Sequence, residues 1–91
     1  MVVWVQGAYP NWMKRKHPAL IKVGKRIREL RKAKGFSQEG FAHEVDLDRT
    51  YMGGIERGER NIAAINIIRI AKALKVEVGE IFPSTRSLPL D

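Results

Sequence analysis

The sequence predicts an all-α protein of five helices, and three observations predict it. Apolar residues recur at helical spacing, beginning with Leu20, Val23, Ile27 and Leu30. Ser37 and Asp48 stand where N-caps would open two short helices, and Gly35 and Gly58 punctuate the chain around them. No two segments alternate apolar and polar residues as a strand pair would. With 91 residues the chain can bury one compact core and has no room for two lobes closing on a substrate.

The first helix carries the stripe from Leu20 to Leu30 and should stop at Gly35, after Lys32 and Lys34, which suit a helix C-terminus. Ser37 caps a second helix, with Phe36 and Phe41 at the two positions of a hydrophobic staple. That helix ends near Val45. Asp46 suits a tight turn, the left-handed region included. Asp48 caps a third helix running to about Arg57, with Leu47 and Met52 repeating the staple and Gly58 marking the end. Ile67, Ile70, Ala71 and Leu74 define a fourth helix. A short apolar segment from Val76 to Phe82 closes the core before Pro83.

Three parts follow: a leader at 1–18, a domain at 19–82, and a loose tail at 83–91. The leader holds Trp4, Tyr9 and Trp12, which could pack on the domain or on a neighbouring subunit. Met13 would itself serve as a start. The apolar stretch precedes the charges, the reverse of a secretory signal, and no apolar run approaches the roughly 18–20 residues that span a bilayer. A cytoplasmic location is expected. Cysteine is absent, which excludes disulfides and thiolate zinc sites.

The net charge is +7, and it is concentrated: residues 14–34 hold ten basic side chains and one acid, Glu29. A basic patch on a small domain is the footprint of a polyanion, nucleic acid first among them. A solvated helix face would read the same way from charge alone. Two short helices joined by a tight turn in a basic domain take the form of a helix-turn-helix. Ala42 would let the two axes approach. Val45, Leu47, Met52 and Ile55 would fill the angle between them. Arg49 and Thr50, opening the third helix, would then enter a major groove about 12 Å wide.

The run SQEGFAHEVDLDRTYMGGIERGERN resembles the helix-turn-helix of the Xre/Cro-type repressor family, with GKRIRELRKAKG and IIRIAKALKVEVGEIF similar to its flanking helices. The similarity covers residues 20–82. The RTY…GIERGERN stretch further resembles small controller proteins of restriction–modification systems. The resemblance implies a five-helix, phage-repressor-like DNA-binding domain and a sequence-specific regulator of transcription on double-stranded DNA.

It also implies roles. Arg49, Thr50 and Arg60 would read bases. Ser37, Gln38, Tyr51, Arg57, Asn61 and Lys25 would hold the DNA backbone, Gln38 helped by amides at its helix start. Arg31 and Glu56 match a pair that forms a largely buried ion bridge between the first and third helices. Two departures stand out. Asp46 occupies a turn position where the family often has glycine. Gly53–Gly54 lie inside the third helix, where each costs about 1 kcal/mol against alanine. They would admit close approach of the backbone to DNA, or else Gly53 serves tight packing and Gly54 is a neutral surface site.

Ile65 and Ile68 project away from the stripe of the fourth helix and could form a homodimer patch, since two-fold operators are read by two-fold proteins. His43 and His17 read as surface histidines, and Glu39 and Glu44 as solubilising charges. No catalytic constellation, phosphate loop or metal-ligand spacing is present in the sequence, so no enzyme activity, metal or cofactor is expected. The alternative function is an antitoxin-type module that sequesters a protein partner and autoregulates. A peripheral membrane role is disfavoured, because the basic first helix spends its apolar face on the core.

Overall fold

Side-chain acceptors open the first three helices. A computed structural model, which describes residues 16–89, places α1 at Pro18–Ala33, α2 at Gln38–Glu44, α3 at Arg49–Glu56, α4 at Ala64–Leu74 and α5 at Val78–Ile81. His17 Nδ1 accepts from the Ala19 amide at 3.1 Å, with Pro18 in the first turn where its missing N–H costs nothing. Ser37 Oγ accepts from Gly40 N at 2.9 Å. Asp48 Oδ1 accepts from Thr50 N at 2.7 Å and from Tyr51 N at 3.3 Å. The Phe36 and Phe41 rings lie 5.1 Å apart across the start of α2. The described residues contain no strand.

The stops differ in kind. Gly35 and Gly58 take φ values of +85° and +76°, a region glycine enters at little cost. Asp46 enters it too, at φ 57°, in the turn between α2 and α3, where Leu47 N donates to Ala42 O at 2.8 Å. Lys75 ends α4 at φ 58°, and Val76 N donates back to Ala71 O at 3.1 Å. No glycine signals that stop in the sequence.

Every helix contributes to one core. Val23 and Ile27, Phe41 and Ala42, Met52 and Ile55, Ile70, Ala71 and Leu74, and Ile81 are all buried, with Val45 beside them. The Val, Ile, Leu, Phe and Met side chains among them each contribute about 1.5–3 kcal/mol on burial. α1 and α3 approach closely because Gly24 has no side chain: a Cβ there would lie 2.7 Å from the Glu56 carbonyl oxygen.

The structure departs from the sequence reading at both ends of the domain. Pro18 opens α1 and His17 caps it, so both serve the domain rather than the leader, and His17 has a role beyond that of a surface histidine. Its amide also donates to Gly58 O at 3.2 Å. Part of the expected loose tail is ordered: Thr85–Ser87 form a 3-10 turn, and Leu88 packs against the core. Lys22 Nζ donates to Ser87 O at 2.7 Å, so an apolar anchor and a long basic side chain tie the segment back to α1. Trp4, Tyr9 and Trp12 lie outside the described residues.

Candidate nucleic-acid interface

The first two residues of α3, Arg49 and Thr50, are both exposed, and the Asp48 cap fixes the turn that carries them. A helix start held in this way presents its side chains at a defined angle. Behind it, α3 is anchored to α1. The Glu56 carboxylate accepts from Arg31 Nε at 2.7 Å and from Arg31 Nη2 at 3.0 Å, in a site where the two side chains are only 3% and 7% exposed. Arg31 Nη1 donates to Phe36 O at 2.8 Å, and Gln38 Nε2 donates to Glu56 Oε1 at 3.1 Å. This network joins α1, α2 and α3, which is the condition for a fixed recognition helix. Its desolvation cost means that it specifies geometry more than it adds net stability.

The remaining candidates fall into groups. Arg60 and Asn61 are exposed in the loop after α3, and Lys25 is exposed on α1. Tyr51 is half-buried, with its hydroxyl 3.5 Å from Asn66 Nδ2 on α4, a long contact. Ser37 spends an acceptor lone pair on its cap, and its O–H is still able to donate. Gln38 has one amide donor engaged by Glu56, which leaves its second donor and its carbonyl for a ligand. Arg57 is exposed, and its Nη2 lies 3.1 Å from Glu59 Oε1. That hydrogen bond holds the Glu59 carboxyl below its usual range against desolvation, with the positive fields of Arg57, Lys16 and Arg60 acting the same way.

Three side chains of the basic run are engaged within the chain. Arg31 is buried in the ion pair, Lys22 is tied to Ser87, and Arg26 donates to Glu80 O at 2.8 Å and lies 3.7 Å from Glu29. Gly54 is not a neutral surface site. It is buried, as is Gly53, and the arginine side chains cover both. The sequence reading missed Gly24, His17, Asn66 and the bond from Gln38 to Glu56. A lone glycine within the α1 stripe and a proline after His17 were usable signals for the first two. Among the described residues no His/Cys/Asp/Glu cluster could hold a metal ion, and no helix is long and apolar enough to cross a membrane.

The fold and this surface define a class, the helix-turn-helix proteins. Residues 27–81 match the helix-turn-helix family model. The control protein C.MunI of a Mycoplasma species is 43% identical over 63 residues, 68% of this chain and 85% of that protein. C.BamHI of Bacillus amyloliquefaciens is 44% identical over 68% of this chain and 78% of its own. Among solved structures, the restriction–modification controller protein C.AhdI from Aeromonas hydrophila superposes with a TM-score of 0.67 at 54% identity, covering 69% of this chain and 96% of that one. The biofilm regulator SinR, solved in complex with DNA, gives a TM-score of 0.63 at 28% identity, covering 65% of this chain and 95% of that one.

The chain belongs to the helix-turn-helix family of Xre/Cro type. It is a DNA-binding transcriptional regulator and not an enzyme, and these matches do not favour a sequestering antitoxin module.

Proposed function

We propose that the protein acts in the cytoplasm as a homodimer on a two-fold symmetric operator and controls the genes of a restriction–modification system. The DNA-binding unit is residues 19–82. The observation that carries the reading is the exposed pair Arg49 and Thr50 at the capped start of a helix that a buried network locks in place. Arg49 is the base reader, able to pair O6 and N7 of one guanine, with Thr50 and Arg60 reading beside it. Ser37, Gln38, Tyr51, Arg57, Asn61 and Lys25 hold phosphates. The controller role is supported by the similarity to C.AhdI, a restriction–modification controller, and to the control proteins from Mycoplasma and Bacillus.

The dimer forms through the outer side of α4, where Ile65 and Ile68 are 58% and 42% exposed. α5 adds Val78 and, just after it, Phe82, which are also exposed. Apolar groups gathered on a small domain favour association with a matching surface.

The test is selection of binding sites from random duplex DNA, followed by two variants on the selected site. Arg49→Ala should lose roughly 10- to 150-fold on that site with little change on random DNA. Arg57→Ala should weaken both about equally and reduce the salt slope by about one for each phosphate no longer neutralised. The wild-type slope should reflect about six to ten phosphates, a fall of about 10³–10⁵ in affinity between 50 and 200 mM salt. Equal losses on cognate and random DNA for Arg49→Ala would demote it to a phosphate anchor. A salt-independent affinity would sink the reading.

A further inference from the structure

Gly53 and Gly54 bear most of the helix-propensity cost in α3, and the burial of Gly54 removes its reading as a neutral surface site. Both are buried although they lie on a two-turn helix followed by Arg57 and Arg60, which are exposed. What covers them is those arginines. A Cβ on Gly53 would stand 2.9 Å from Arg57 Nη1 and 3.5 Å from Gln38 Oε1. A Cβ on Gly54 would stand 2.7 Å from Arg60 Cγ and 3.2 Å from Arg60 Nε.

Helical side chains tilt toward the N-terminus, so a residue four positions on lies over the one before it. With no side chain at 53, the Arg57 guanidinium settles against the helix backbone and beside Gln38. Its other nitrogen, Nη2, is held 3.1 Å from Glu59 Oε1. One terminal nitrogen therefore faces Gly53 and Gln38 while the other is fixed by a carboxylate. Gln38 is fixed in turn, by its bond to Glu56. The guanidinium of Arg57 and the free polar atoms of Gln38 are thus placed side by side from two different helices before any ligand arrives.

We propose that Gly53 and Gly54 are positioning residues for DNA binding: their bare Cα atoms form a seat on α3 that sets Arg57 beside Gln38 for the phosphate backbone, and Arg60 along the helix for the bases. The inference rests on the DNA-binding reading above and names what prepares that surface. A pre-set arginine loses less side-chain freedom on binding than a free one does, so the seat raises affinity without adding a contact. The helix-propensity cost is the local sacrifice expected at a functional site.

The test is a four-membered cycle on the selected duplex, by fluorescence anisotropy at fixed salt: wild type, Gly53→Ala, Arg57→Ala and the double variant. Gly53→Ala should weaken binding by roughly tenfold, the scale of removing one charge-assisted hydrogen bond. In the Arg57→Ala background the same change should move affinity by less than about twofold. Its thermal midpoint should equal or exceed that of wild type, because alanine favours the helix and the displaced atom is the far end of a flexible side chain. Gly54→Ala with Arg60→Ala repeats the cycle independently.

Wild-type affinity for Gly53→Ala would overturn the proposal. So would a tenfold loss that persists without Arg57, which would mean that the helix backbone itself meets the DNA. Failure of both glycine variants to fold would make these packing residues and overturn it equally. Failure of the wild type to select any duplex would instead remove the underlying reading along with it.

Discussion

Where α1 meets α3 the two helices are fitted group against group. Gly24 lies on the carbonyls of Ile55 and Glu56, and Arg31 grips Glu56 through two hydrogen bonds out of contact with water. Along the outer side of α4 and α5 the chemistry is the opposite: Ile65, Ile68, Val78 and Phe82 stand exposed. The first region sets the angle of α3 within one chain. The second sets nothing until another surface covers it. On a two-fold operator, the reading angle and the roughly 34–36 Å between half-sites are then separate problems. A buried polar lock sets the first, and the dimer proposed above would assign the second to the apolar face.

The largest effect should come from breaking the lock. Glu56→Ala leaves Arg31 buried without its carboxylate and removes the acceptor of Gln38. A loss of about 3–5 kcal/mol in urea denaturation is expected. Replacing both partners together, Arg31→Met with Glu56→Leu, should recover much of that loss while still weakening DNA binding, because Gln38 and α3 lose their reference. A single-variant loss below about 1 kcal/mol would mean that the pair is hydrated in solution.

The apolar face should answer differently. Ile65→Glu and Ile68→Glu should leave monomer stability within about 0.5 kcal/mol, as surface substitutions do. Each should weaken self-association by at least about tenfold, since a carboxylate would have to be desolvated in the interface. Sedimentation equilibrium measures the association, and urea denaturation at low concentration the stability. An unchanged dimer in both variants would move the interface elsewhere, and equal destabilisation of the monomer would erase the contrast between the two regions.

A smaller effect should follow from uncapping α3. Asp48→Ala removes the acceptor of two amides at the point where Arg49 and Thr50 open the helix. About 1 kcal/mol of stability should be lost. Hydrogen exchange at Thr50 and Tyr51 should quicken while the α1–α3 contact stays protected. Uniform exchange across α3 would show that the helix start is held by packing alone.

What was legible in the sequence was mostly local. The caps at Ser37 and Asp48, the staple of Phe36 on Phe41, and the stops at Gly35 and Gly58 each depend on groups within about five residues. The left-handed conformation of Lys75, which makes the stop after Leu74, was not legible, because a lysine adopts it only under tertiary compulsion. The docking of residues 85–88 depends on Lys22, 65 positions from its acceptor. At the site, the place of Arg49 and Thr50 follows from the cap before them. The coupling of Gln38 to Glu56 does not follow, since it needs α2 and α3 already folded together. Gly53 and Gly54 were visible as anomalies, but which side chains cover them is a matter of rotamers that no spacing rule contains.

The smallest effect concerns Glu59, which borders the seat of Arg57 and lies outside both contrasted regions. The hydrogen bond from Arg57, aided by the fields of Arg57, Lys16 and Arg60, lowers its pKa from 4.5 in the folded chain. A depressed carboxylate contributes stability that is fully present above the unfolded pKa and is lost as pH falls through the folded one. Wild type should therefore exceed Glu59→Gln in stability at neutral pH by a small margin. That margin should begin to close as pH drops toward 4.5 and vanish below the folded pKa, and it should shrink with added salt because the pair is at the surface. Carboxyl NMR titration should place the Glu59 midpoint below 4.5 in the wild type and return it upward in Arg57→Ala. A midpoint unmoved by Arg57→Ala would mean that the guanidinium does not rest on Glu59. Arg57 would then reach DNA as a free side chain, while the α1–α3 lock and the Asp48 cap would still fix the start of α3 before binding.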